Sequence, residues 1–137
     1  MRQVLLALFG GAGCIALGLA YVLHVFGPTE AEVACWGRVS IGLGFALAPL
    51  TAIIRRSSPR LARGMAGLGW GAGALLQVPP ILLWFAFHGS GISDGTPPSA
   101  FVAHWAYALP HLAVLLLCGA NVHGLGMLPR AGPRIRS

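Results

Sequence analysis

Five histidines, three cysteines and three carboxylates are the groups in this chain best able to build a site. His24, His88 and His104 stand near the ends of three apolar stretches, with Glu30, Glu32 and Asp94 in the adjoining turns. A divalent metal needs three or four converging N or O ligands. A b-type haem needs axial ligands on facing helices at matched depth. The three imidazoles are therefore candidate ligands for a metal or a haem, with neither cofactor favoured. No two histidines show the four-residue spacing that would set both on one helical face.

A second set lies deeper. Gln77 and His111 reach similar depth near the middle of their apolar segments, beside Pro79-Pro80 and Pro110. Proline removes a helical hydrogen bond and frees a carbonyl, so such turns can line a polar cavity. An ionisable residue at mid-membrane reads as part of a ligand or proton path. The plainer reading is an interhelical His111–Gln77 hydrogen bond that fixes register. Arg38 joins these candidates about 8 Å inside the outer boundary, free to snorkel or to pair with a loop carboxylate. Cys14, Cys35 and Cys118 are isolated. Their expected depths are mid-plane, outer and inner, which keeps them too far apart for a disulfide. No hydrolase pattern is present and no catalytic residue is assigned.

These groups must be held by apolar helices. Hydrophobic residues make up 56% of the 137-residue chain and charged residues 9%, against about 25% charged in ordinary globular domains. Four segments, about 4–26, 33–54, 64–88 and 101–125, carry the apolar residues. Each is long enough to cross a hydrocarbon core of about 30 Å. The expected fold is all-α, an integral-membrane four-helix bundle of two hairpins in one domain, 1–137. The first segment also begins like a signal peptide, but its apolar run continues well past Cys14, so it reads as a helix.

The net charge of +6 invites a nucleic-acid reading. The arginines instead sit in short runs beside apolar segments, the pattern of orientation signals. Arg2, the loop 55–63 (Arg55, Arg56, Arg60, Arg63) and the tail (Arg130, Arg134, Arg136) fall on one side, and the carboxylates on the other. Both termini are therefore expected in the cytoplasm, with the loop arginines on anionic lipid head groups. Trp36, Trp84 and Trp105 should lie at the outer boundary and Trp70 in the inner half, as interfacial rings do.

Small residues four apart mark faces where helices approach closely. Gly10, Cys14 and Gly18 form one such set; Ser40, Gly44 and Ala48 a second; Gly67 and Gly71, with Gly69 and Gly73, a third. A short echo, Val33-Ala34-Cys35-Trp36 and Val102-Ala103-His104-Trp105, hints at duplicated hairpins. The chain has the general look of small four-helix proteins of the bacterial inner membrane. It lacks the paired cysteines of the four-helix thiol oxidoreductases and mercury transporters. The leading expectation is a non-catalytic membrane protein, working as an oligomer or as an accessory subunit of a membrane complex. The alternatives are a metal- or haem-binding protein using the outer histidines, and a small transporter or channel protomer using Gln77 and His111.

Overall fold

The apolar segments form four α-helices: α1, Arg2–Val22; α2, Ala31–Ser57; α3, Arg60–Phe87; and α4, Ala108–Gly126, introduced by a 3₁₀ turn at His104–Tyr107. The structure, a computed structural model, describes residues 1–57, 60–87 and 104–126, the side chains of 55–57 excepted. Taking the 3₁₀ turn with α4, all four helices are long and apolar enough to cross a membrane. The shortest has 21 residues, about 31 Å at 1.5 Å per residue.

α1 packs chiefly on α2 and α3 chiefly on α4, while α1 also meets α4. Two antiparallel hairpins thus lie side by side, with α2 and α3 loosely apposed. The perimeter is apolar: Phe9, Phe45, Leu68, Leu75, Phe85 and Leu116 are all more than 60% exposed. A soluble surface rarely carries so continuous an apolar patch.

The first hairpin closes backbone to backbone. A Cβ on Gly18 would collide with the Gly37 carbonyl, and one on Gly11 would lie 2.9 Å from the Gly44 carbonyl. Gly11 and Gly18 on α1 therefore seat against Gly44 and Gly37 on α2, each pair seven residues apart. Of the glycines expected at packing faces, Gly18 and Gly44 lie here. Gly10 turns instead toward Trp70 and Asn121. Gly67 and Gly71 do not pack: a Cβ on either would meet nothing within 4 Å. On α3 it is Gly69, against Leu47, and Gly73, against Cys118, that touch neighbours.

Several boundaries differ from expectation. α1 stops at Val22 because the chain turns through left-handed residues, His24 (φ 56°) and Gly27 (φ 103°). Phe26 then folds back into the core, its ring 4.9 Å from Tyr21 and 5.0 Å from Tyr107. The arginine segment is largely helical, since α2 runs to Ser57 and α3 opens at Arg60. α4 starts at Ala108, after the 3₁₀ turn at His104–Tyr107, and 101–103, where the fourth segment was expected to open, lie outside the described residues. Pro110 accounts for this start, since it occupies the first turn, where its missing N–H costs nothing. Pro110 therefore begins α4 and does not kink it.

Candidate functional site

The centre of the bundle is a chain of hydrogen bonds through three helices. His111 of α4 is fully buried. Its Nδ1 lies 2.8 Å from Gln77 Oε1 on α3, and its Nε2 lies 2.7 Å from Tyr21 Oη on α1. Trp84 Nε1, also on α3, donates to Tyr21 Oη at 2.8 Å. An amide oxygen only accepts, so Nδ1 carries the proton and Nε2 accepts from the tyrosine. The direction is then set: Trp84 N–H to Tyr21, Tyr21 O–H to His111, His111 N–H to Gln77. Gln77 Nε2 in turn reaches the Gly73 carbonyl at 3.4 Å. Every member is satisfied, the condition under which buried polar groups rigidify a core.

Aromatic rings wall this chain. Trp36 of α2 meets Tyr21 edge-on at 5.1 Å and lies 5.8 Å from His111. Its indole nitrogen donates to the Leu76 carbonyl at 3.2 Å. That carbonyl is the one Pro80, lacking an N–H, cannot bond. The proline of α3 therefore supplies the acceptor that ties α2 to α3. A small cleft of about 180 Å³ opens beside these residues, lined by Tyr21, Trp36, Pro79 and Pro80 among others.

Two further polar ties lie toward the arginine end. Trp70 Nε1 donates to Thr51 Oγ1 at 2.9 Å, and Thr51 donates to the Leu47 carbonyl at 2.8 Å. Asn121 donates to the Leu6 and Leu117 carbonyls, both at 2.9 Å, and accepts from Gln3 at 3.2 Å. Trp70 and Trp84 are fully buried. They are core donors, in contrast to the interfacial placement expected of them; Trp105 alone of the three expected at the outer boundary is half exposed.

All three cysteines are free. Cys14 and Cys118 are buried free thiols, unlinked by a disulfide. Ser40 Oγ donates to the Cys14 carbonyl at 2.9 Å, and a Cβ on Gly73 would lie 3.3 Å from Cys118 Sγ. Small residues thus join α1 to α2 and α3 to α4 at these positions.

Of the other candidates, His24 is exposed in its turn. His104 is half-buried with its ring 6.4 Å from Trp84. His88 and Asp94 lie outside the described residues, as do the tail arginines and the side chains of Arg55 and Arg56. Among the described residues, no three His, Cys, Asp or Glu side chains converge to hold a metal ion. Arg38 is exposed on α2 and is not brought to Gln77 and His111. Ala48 packs at Gly11. Tyr21, Thr51 and Gln3 are network members that the sequence did not single out, and Trp36 and Trp84, expected as interfacial rings, donate within it. A tyrosine or tryptophan well inside an apolar segment is the signal that marks them, because its polar atom then needs an internal partner. Compared with family models, with curated proteins and with solved structures, the chain matches none.

Proposed function

We propose that this chain is a multi-pass protein of the bacterial inner membrane, with both termini and the arginine turn in the cytoplasm. Its role is non-catalytic: it associates with further membrane helices, as an oligomer or as an accessory subunit. Arg38 carries this reading. It is a full charge within the span Ala31–Ile54, yet it is exposed on the outward face of α2. It stands seven residues from the helix start, about 10 Å along the axis. A charge at the bilayer centre costs about 2.5–3.5 kcal/mol on insertion scales, and less where it snorkels. An acceptor on a neighbouring helix removes that cost. Gly42 and Ala46 continue the same face at four-residue spacing, both exposed, and a Cβ on Gly42 would meet nothing within 4 Å. Close approach of a second helix is therefore open beneath the guanidinium.

The internal polar groups support the same view. Both ring nitrogens of His111 are engaged by protein side chains, which leaves neither free for an axial bond. The chemistry in the core goes into register, so the outer faces remain to act. The test is crosslinking in native membranes from a cysteine placed at Gly42 (Gly42→Cys) in a Cys35→Ser background. A product larger than the monomer is expected; monomer alone, with the introduced thiol fully alkylated, would overturn the reading.

A further inference from the structure

α3 and α4 leave a groove on their outer side at the arginine end. The cavity there is about 580 Å³ and is lined by Arg60, Arg63, Gly64, Gly67, Val122 and Gly126, with Leu125. That volume lies within the range of about 300–1,000 Å³ usual for small-molecule sites. Helical arithmetic explains its form. Positions 60, 63, 64, 67 and 71 of α3 share one face, and positions 119, 122 and 126 of α4 share another. The first face reads Arg, Arg, Gly, Gly, Gly and the second Gly, Val, Gly. A Cβ on Gly64, Gly67, Gly71, Gly119 or Gly126 would meet nothing within 4 Å. The groove is therefore floored by bare backbone and headed by two guanidinium groups, one exposed and one half-buried. Its lining on α3 runs from Arg60 to Gly67, about 10 Å, and the open glycine face continues past it to Gly71, about 16 Å in all and close to half of a hydrocarbon core of about 30 Å.

We infer that this groove is a binding site for one anionic phospholipid, its phosphate on Arg60 and Arg63 and one acyl chain along Gly64, Gly67 and Gly71. The inference rests on the membrane placement proposed above, but not on the Arg38 face. Charge selects the occupant. A second copy docking here would bring like charges together. A free phosphate would use the arginines and leave the glycine lane empty. A phospholipid satisfies both ends, and its length from head group to chain terminus fits one leaflet. Guanidinium also suits phosphate because it offers paired donors in a fixed plane.

The test is native mass spectrometry of the full chain in mild detergent. Three probes are compared: a phosphatidylglycerol, a phosphatidylcholine with the same chains, and glycerol 3-phosphate. One phosphatidylglycerol per chain is expected to be retained, phosphatidylcholine at least about tenfold more weakly, and glycerol 3-phosphate not at all. Each arginine near an anionic head group is worth about a fivefold change, so Arg60→Gln with Arg63→Gln should weaken retention about twenty-five-fold. Gly67→Leu should block the lane and weaken retention comparably. Its detergent unfolding midpoint should stay at or above wild type, because leucine favours helix over glycine. Equal retention of the two phospholipids, or retention unchanged in either variant, would overturn the site. Binding of glycerol 3-phosphate as tight as that of phosphatidylglycerol would overturn the lipid assignment. Loss of the Gly42→Cys crosslink would not bear on it, because that face is on α2.

Discussion

Replacing Tyr21 with phenylalanine removes one oxygen atom and isolates the core hydrogen bonds from the ring packing. The ring stays, so its contacts with Phe26 at 4.9 Å and Trp36 at 5.1 Å persist. Two bonds are lost, the one accepted from Trp84 and the one made to His111. Interhelical hydrogen bonds in membranes average about 0.6 kcal/mol each and reach about 1.7. The expected cost is therefore about 1.2 kcal/mol at the average and about 3.4 at the upper end. The upper part of that range is favoured because the Trp84 N–H and the His111 Nε2 are left buried without partners. Unfolding by SDS in mixed micelles, followed by tryptophan fluorescence, reads the difference. Tyr107→Phe is the control. Its ring lies 5.0 Å from Phe26 and 4.9 Å from Trp84, and the change should cost under about 0.5 kcal/mol. A double-mutant cycle of Tyr21→Phe with Trp84→Phe separates the shared bond from the volume lost at Trp84, with a coupling of at least about 0.6 kcal/mol. A Tyr21→Phe protein within about 0.5 kcal/mol of wild type, or a Tyr107→Phe loss of equal size, would refute the reasoning.

The glycines divide sharply under the same assay. Gly18→Ala should destabilise by more than about 2 kcal/mol, because its Cβ meets the Gly37 carbonyl, a backbone atom that cannot rotate away. Gly42→Ala should be neutral or stabilising by up to about 1 kcal/mol in detergent, since it meets nothing. Cys35 is exposed while Cys14 and Cys118 are buried; a polar maleimide should label one thiol per chain in mild detergent and three in SDS. Asn121→Leu should cost about 1–2 kcal/mol, because it releases the Leu6 carbonyl on α1. A reporter active only in the periplasm should be silent when fused after Arg60, and activity there would reverse the proposed orientation.

The helices were legible because an apolar run of about 20 residues with at most one charge has few alternatives. The Gln77–His111 hydrogen bond followed from depth, counted from the charged ends of each segment. Direction around each helix was less accessible. Counting places Tyr21, Trp36 and Trp84 near one level but does not show that they face one another. For tryptophan in particular, an interfacial ring and a core donor look alike in sequence, and Trp70 and Trp84 proved to be donors. Pro110 was ambiguous in the same way: interior prolines kink, first-turn prolines start helices, and only the true helix start separates them. The glycines of α3 lie on more than one face, so spacing alone could not say that Gly69 and Gly73 meet protein while Gly67 and Gly71 stay open.

Association through α2 is the centre of the functional account, and the mass of the mildly solubilised particle tests it most directly. Wild type and Arg38→Ala are extracted side by side and weighed by light scattering with the detergent contribution subtracted. The account predicts protein mass well above the 14.2 kDa of one chain for wild type, and a shift toward one chain for Arg38→Ala. A wild-type particle of one chain with no companion subunit would contradict it, as would an Arg38→Ala particle of unchanged mass.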